Sequence, residues 1–173
     1  MIETLISSKT RLKLLLKFFL NSNNKAYLRS LETEFNESTN AIRVELNRFE
    51  AAGLLQSIIV GNKKIFSANT HHPLFINIQQ IVLKHVGIDT IIDTIIKELH
   101  FVEAVYLTGK LAHGLNEEII RLEIIGNVEL DKMKLLVIKT EKLIKRKIHF
   151  NIYPIGSAFS IIENKDNLLI WSK

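Results

Sequence analysis

The chain contains no cysteine, which excludes disulfide bonds and thiolate metal sites and is compatible with a reducing compartment. Long apolar runs are also lacking. The one candidate near the beginning, residues 14–20, is interrupted by Lys17. We therefore predict neither a signal peptide nor a membrane span, no membrane partner, and a cytoplasmic location.

Motifs for metal binding are missing as well. None of the six histidines stands in His-x-x-x-His spacing or beside a paired carboxylate. We predict no metal site and no cofactor. What remains is a chain of 173 residues with 47% hydrophobic content, enough for one domain or two small ones with packed cores.

Positive charge is in excess and is unevenly placed. The formal net charge of +5 and the pI near 9.4 favour polyanionic partners. Residues 1–70 carry ten Lys or Arg against six acids, whereas the remaining 103 residues carry 13 bases and 12 acids. We therefore expect a polyanion-binding surface in the first part of the chain.

Residues 38–53 have the pattern of a capped amphipathic helix. Ile42, Leu46 and Phe49 recur on one side at helical spacing. Ser38 or Thr39 suits the N-terminus, and Gly53 suits an end where positive φ is needed. The opposite face carries Asn40, Arg43, Val44, Asn47 and Arg48.

A β-hairpin is predicted directly after this helix. Residues 56–60 and 63–67 are rich in strand-forming side chains, and Gly61-Asn62 between them suits a tight turn. Lys63 and Lys64 then lie at the hairpin tip. Basic side chains in that position would meet phosphate oxygens.

Two further helices are predicted upstream. Residues 8–20 place apolar side chains at helical spacing, and residues 27–35 give a short second helix. The first helix is expected to present a basic outer face formed by Lys9, Arg11, Lys13 and Lys17. Three helices and a hairpin would then make up a domain of residues 1–69.

The segment Asn40-Ala41-Ile42-Arg43-Val44-Glu45-Leu46-Asn47-Arg48-Phe49-Glu50-Ala51-Ala52-Gly53-Leu54-Leu55, together with Gly61-Asn62-Lys63-Lys64, resembles the winged-helix bacterial transcriptional regulators of the ArsR and MarR type. The resemblance implies transcriptional regulation through double-stranded DNA. The predicted DNA-binding residues are Thr39, Asn40, Arg43, Val44, Asn47, Arg48, Lys63 and Lys64. Arg43, Asn47 and Asn40 would read base edges, and Val44 would contact a thymine methyl group. Arg48 and the two hairpin lysines would bind phosphates. Alternatives are a merely solvated helix face and a protein-interaction module.

Residues 70–100 are predicted to be connecting helices. His72-Pro73 favours a new helix start, and an apolar face with Leu74, Ile81 and Val82 follows. A second helix is expected over residues 89–99. This stretch holds more apolar surface than one small domain can bury, so a homodimer is predicted; the alternative is packing against the second half of the same chain.

Residues 101–173 are predicted to form a small α/β domain, which makes the whole chain α+β. Strand patterns cover residues 102–107, 118–125 and 147–153, and a helix pattern covers 129–145. Two short motifs stand out here: Gly109, Ala112 and Gly114 after the first strand, and Ile124-Ile125-Gly126 at the end of the second. Their spacing resembles that of the small nucleotidyltransferase domains related to DNA polymerase β. The resemblance covers residues 101–153.

The sequence departs from that family's pattern at the positions of its metal-binding residues, and these departures determine whether catalytic activity is expected. Ile119 and Arg121 stand where the resemblance would place two metal-binding aspartates, and the next strand offers His149 and Asn151 without an acid. Two-metal nucleotidyl transfer needs carboxylates, so we predict a catalytically inactive domain without catalytic residues. Slippage of the alignment, with Glu123 as an acid, would instead leave an active nucleotidyltransferase that uses the winged helix for docking.

The remaining pocket is predicted to be basic. Its residues are Gly109, Lys110, Gly114 and Arg121. An anionic small molecule bound there would be a candidate effector of DNA binding. The alternative is a vestigial fold kept for packing or dimerisation.

Overall fold

The computed structural model describes residues 6–99, 101–156 and 159–173. The chain is an α+β protein, as predicted, and its described part contains a three-stranded antiparallel sheet and a four-stranded mixed sheet. It divides into two compact units. The N-terminal unit comprises Met1–Val82 and His113–Asn116, and the C-terminal unit comprises Leu83–Ala112 and Glu117–Lys173.

The N-terminal unit combines helices with a small sheet of strand order β1-β3-β2. Its elements are α1 (Lys9–Leu15) continued by a π-helical turn (Leu16–Leu20), β1 (Lys25–Tyr27), α2 (Leu28–Phe35), α3 (Thr39–Ala51), β2 (Leu55–Val60) and β3 (Lys63–Ala68). A further helix, α4 (Phe75–Val86), begins in this unit and ends in the other. The predicted helices and hairpin are confirmed, whereas β1 was not predicted.

The C-terminal unit is built on a mixed sheet of strand order β6-β5-β4-β7. Strands β5 and β6 are parallel, and the other two pairings are antiparallel. The elements are α5 (Ile88–Ile91) continued by a π-helical turn (Ile92–Ile96), β4 (Val102–Thr108), α6 (Gly109–Ala112), β5 (Ile119–Gly126), α7 (Leu130–Ile144), β6 (Lys147–Tyr153), α8 (Phe159–Ile162) and β7 (Leu168–Ser172). Strand β7 was not predicted.

The core of the N-terminal unit includes the apolar side of α3. Ile42, Leu46 and Phe49 are buried, as their spacing predicts. The Ser38 hydroxyl accepts a hydrogen bond from the backbone N–H of Ala41 at 3.3 Å, which caps the helix. The opposite side of α3 must therefore face outward.

The predicted basic outer face of the first helix is wrong for most of its residues. Lys17 is buried in the π-helical turn, and its Nζ pairs with Glu34 Oε2 of α2 at 2.6 Å. Lys13 Nζ pairs with Glu37 Oε1 at 2.6 Å. A buried ammonium group needs such a partner, and acids from the following segments supply it. Lys9, by contrast, is exposed.

Arg11, the fourth residue of that predicted face, joins α1 to α3. Its Nε donates to Glu45 Oε2 at 2.9 Å and its Nη2 to Glu45 Oε1 at 3.1 Å. Arg48 Nη1 donates to the same Oε1 at 3.1 Å. Glu45 is only 5% exposed. Burial acts to raise the pKa of Glu45, but the hydrogen bonds and charges of the two arginines outweigh it and hold the pKa below its ordinary value.

Two expectations about apolar residues need correction. Leu74 and Ile81, predicted on the apolar face of the connecting helix, are exposed, whereas Val82 and Val86 are buried. Trp171 on β7 is only half-buried. Helical spacing identifies which residues share a face, but neighbouring elements decide how much of that face is covered.

Glu45→Ala is expected to lower the free energy of unfolding of the N-terminal unit by about 1.5–2 kcal/mol at neutral pH, because Arg11 and Arg48 lose a charged hydrogen-bond acceptor but remain partly solvated. Because folding lowers the pKa of Glu45, its contribution to stability is fully present above pH 4.5, the ordinary pKa of the carboxyl group. The contribution is lost as the pH falls through the lower pKa of the folded state. Urea unfolding followed by circular dichroism across this pH range measures the difference between variant and wild type.

Glu32→Ala is the matched control, since Glu32 is a half-exposed carboxylate of the neighbouring α2. It should change stability little at any pH. Equal losses for the two variants, or a Glu45→Ala loss that does not shrink in acid, would contradict the role assigned to Glu45.

Candidate nucleic-acid interface

The outer face of α3 presents the polar residues that the sequence predicts. Asn40, Arg43, Val44, Asn47 and Arg48 are all exposed, and Thr39 is half-buried at the first position of the helix. Gly53 adopts φ of 73° just after the helix, which is the left-handed conformation expected of a glycine there. The helix therefore ends before the hairpin begins.

The hairpin formed by β2 and β3 carries both predicted lysines at its tip. Val60 pairs with Lys63 across a turn of Gly61 and Asn62, and Gly61 has φ of 60°. Lys63 Nζ lies 4.4 Å from the centre of the Tyr27 ring. A cation at this distance is attracted to the ring face, which limits where the Lys63 side chain points.

Lys64 is held from the other side of the hairpin. Its Nζ donates to Glu50 Oε2 of α3 at 2.7 Å, and the Ser57 hydroxyl donates to Glu50 Oε1 at 2.5 Å. These hydrogen bonds, with that of Lys64 the largest influence, keep the pKa of Glu50 below its ordinary value. Glu50 thus ties the hairpin to α3 and partly neutralises Lys64.

A groove of about 460 Å³ lies between α3 and the hairpin. Its basic and amide side chains come from three elements: Arg43 and Asn47 of α3, Asn62, Lys63 and Lys64 of the hairpin, and Arg29 of α2. Apolar side chains complete the lining, namely Tyr27, Leu28, Leu46 and Phe66. The groove is therefore a cationic, hydrogen-bonding cleft with partly apolar walls.

The eight predicted DNA-binding residues do not all reach this groove. Arg43, Asn47, Lys63 and Lys64 line it together, whereas Thr39, Asn40, Val44 and Arg48 lie elsewhere on α3. Arg48 is exposed but shares the buried Glu45 with Arg11.

Sequence reasoning missed six of the ten residues that line the groove, among them Arg29, Tyr27 and Asn62. Arg29 and Tyr27 reach it because the short strand β1 pairs with β3, with Tyr27 opposite Ile65. Asn62 was assigned only to the turn. A strand of three residues has too short a pattern to be recognised alone, so only its pairing shows where Arg29 lies.

The second predicted site is brought together only in part. Gly109 begins α6 with φ of 71°, and a Cβ there would lie 3.2 Å from Arg121 Nη1. The same Nη1 pairs with Glu117 Oε2 at 2.5 Å, so the charge of Arg121 is compensated. Lys110 is exposed. Gly114 belongs to the N-terminal unit, where a Cβ would lie 2.5 Å from the Cα of Lys17.

Glu123 is the acid that would bind metal if the alignment with the nucleotidyltransferase pattern were shifted. Its carboxylate forms hydrogen bonds with the neighbouring strand β6. Asn151 Nδ2 donates to both of its carboxylate oxygens, at 3.2 and 3.1 Å. A hydrogen bond with Glu123 also raises the pKa of Tyr153. Across the described residues, no group of three His, Asp or Glu is placed to hold a metal ion.

No protein-family model, curated protein or solved structure matches the chain. Within the part of the chain that the structure describes, no helix has the length and apolar composition needed to cross a membrane.

Lys64→Ala is expected to raise the pKa of Glu50 towards its ordinary value of 4.5, because the variant removes the largest cause of the shift. The titration of the Glu50 carboxyl carbon, followed by NMR, measures this change. Lys63→Ala is the matched control: Lys63 lies over the Tyr27 ring, so its loss should move the pKa of Glu50 far less. An unchanged pKa of Glu50 in Lys64→Ala would contradict the hydrogen bond between Lys64 and Glu50.

Proposed function

We propose that the chain is a sequence-specific DNA-binding transcriptional regulator whose N-terminal unit is a winged helix-turn-helix. The observation that carries this proposal is the groove in which Arg43 and Asn47 of an exposed helix face lie beside Lys63 and Lys64 of a hairpin tip. Base-reading and phosphate-binding side chains are then adjacent. This is the arrangement that recognition of duplex DNA requires.

Helix α3 is proposed to enter the major groove. An α-helix with its side chains is about 10–12 Å across, close to the width of about 12 Å of that groove. Arg43 would pair with guanine, Asn47 and Asn40 with adenine, and Val44 would contact a thymine methyl group. Each is exposed, so no rearrangement of the helix is needed.

Phosphate contacts are proposed for Lys63, Lys64, Arg48 and Thr39, and for the newly located Arg29. Arg29 and Lys63 line the same groove from different elements. Contacts of this kind position the protein on the duplex without reading sequence. Lys64 contributes less charge than Lys63, because Glu50 pairs with it.

The distribution of paired charges supports the choice of face. Arg11, Lys13 and Lys17 are engaged by acids of the same unit. They therefore add less to the external field than the exposed groove residues Arg29, Arg43 and Lys63. This favours a polyanion bound between α3 and the hairpin over one bound along α1.

For the C-terminal unit we propose a degenerate nucleotidyltransferase-like domain without catalytic activity. Its mixed sheet, in which an antiparallel β4–β5 pair continues into a parallel β5–β6 pair, supports the likeness. Ile119, Arg121, His149 and Asn151 occupy the positions where carboxylates would hold metal ions. The proposal includes a cytoplasmic location, a homodimer and no cofactor. The C-terminal unit would either bind an anionic effector at Lys110 or have a purely structural role.

The DNA-binding proposal predicts different effects for two kinds of residue. Selection of bound fragments from genomic DNA supplies the site, and fluorescence anisotropy at several salt concentrations measures affinity. Arg43→Ala should cost about 1–3 kcal/mol on that site and reduce discrimination at one base pair. Lys63→Ala and Arg29→Ala should weaken binding to all sequences alike and lower the salt slope by about 1 each.

Lys165→Ala is the matched control, since it removes an exposed lysine from a turn of the C-terminal unit. Its affinity should equal that of the wild type. The assignment fails if Arg43→Ala and Lys63→Ala both bind the selected DNA as the wild type does.

The absence of catalysis is tested by label transfer. Incubation with labelled nucleoside triphosphates and Mg²⁺ or Mn²⁺ should transfer no nucleotide to protein, RNA or small-molecule acceptors, because no three His, Asp or Glu among the described residues are grouped to hold an ion. Transfer that is lost in Glu123→Gln would instead establish the enzyme interpretation.

A further inference from the structure

Helix α7 of the C-terminal unit has an outer face that nothing in the unit covers. Met133, Val137 and Thr140 form its buried side. On the opposite side Leu135 is 69% exposed and Ile138 is 52% exposed. These two neighbouring aliphatic side chains form a small apolar patch on an otherwise solvated helix face.

Charged residues continue this apolar pair in both directions. Asp131, Leu135, Ile138 and Lys142 are separated by four, three and four residues, so they lie within an arc of about 60° on the helix. We call these four residues the α7 stripe. Asp131 and Lys142 are exposed and lie about 16 Å apart along the axis, one at each end.

The α7 stripe is complementary to itself in one orientation. Its centre lies midway between Leu135 and Ile138, so an antiparallel copy places Leu135 against Ile138 and Asp131 against Lys142, each pair occurring twice. A parallel copy would instead place Asp131 against Asp131 and Lys142 against Lys142. A two-fold axis generates the antiparallel arrangement directly.

We propose that two copies of this chain associate through antiparallel packing of their α7 stripes. The apolar pairs lie at the centre of the contact, and the ion pairs fix its register. Lys134 and Lys139 flank the stripe on either side, where their long side chains can extend around the rim. Asp131 Oδ1 pairs with Lys134 Nζ of the same helix only at 4.0 Å, and the Asp131 side chain is 90% exposed, which leaves its carboxylate accessible to a second cation.

One feature favours a second copy of the chain over an unrelated protein as the partner of the α7 stripe. Another favours α7 over other helices as the contact surface. An unrelated partner would have no need of opposite charges placed symmetrically about an apolar centre. Helix α4 also leaves Ile76 and Ile81 exposed, but it contains no acidic residue and so offers no such self-complementarity. A single helix face is a small interface, so we expect reversible dimers with micromolar affinity.

Charge reversal at the two ends of the stripe tests the proposal on the full chain by sedimentation equilibrium. Asp131→Lys alone and Lys142→Asp alone should each weaken self-association about tenfold or more, because each creates two like-charge contacts per dimer. Mixing these two single variants should restore a heterodimer, since every end contact then joins opposite charges. The double variant, with both reversals in one chain, should dimerise as the wild type does.

Asp166→Lys, the same reversal in an exposed turn, is the control and should leave association unchanged. Circular dichroism of each variant reports whether α7 remains folded. The proposal is overturned if the wild type remains monomeric at high micromolar concentration. It is also overturned if folded single variants dimerise normally, or if mixing them restores nothing, as would occur when a different protein or a different surface is involved.

Discussion

The buried carboxylate of Glu45 is the constraint on which the rest of the N-terminal unit depends. It lies on the inner side of α3, between Arg11 of α1 and Arg48 of its own helix. A buried charge is tolerated only when such partners satisfy it, so α1 and α3 must meet with these side chains in register. This fixes the rotation of α3, and that rotation in turn directs Arg43 and Asn47 towards the hairpin.

The same need for paired charge separates six of the ten basic residues of the unit into two groups. Arg11, Lys13 and Lys17 hold helices together through Glu45, Glu37 and Glu34, whereas Arg29, Arg43 and Lys63 line the groove. Net charge alone would count all six as attraction for a polyanion. Once internal pairing is considered, Arg29, Arg43 and Lys63 keep positive charge in the groove, Lys9 and Lys25 stay exposed outside it, and Glu50 compensates Lys64.

Prediction from sequence succeeded where a long segment has one strong period. The buried face of α3 follows from Ile42, Leu46 and Phe49, and β6 has the bounds expected from its composition. It failed for β1, which is too short to show alternation and exists through its pairing with β3. It also misplaced Lys17, because all five residues of the π-helical turn are buried, and helical spacing does not show that neighbouring elements enclose a turn on every side.

For the candidate site, local pattern was sufficient to identify the exposed face of α3 and the two hairpin lysines, because period and turn chemistry act between residues close in the chain. Tertiary structure decided which cations remain outward and that Arg29 joins the groove. Some pairings in the N-terminal unit join residues far apart in the chain: Lys17 and Glu34 are 17 positions apart, and Arg11 and Glu45 are 34 positions apart. Contacts over such separations arise only when helices and strands pack, and no local period encodes them.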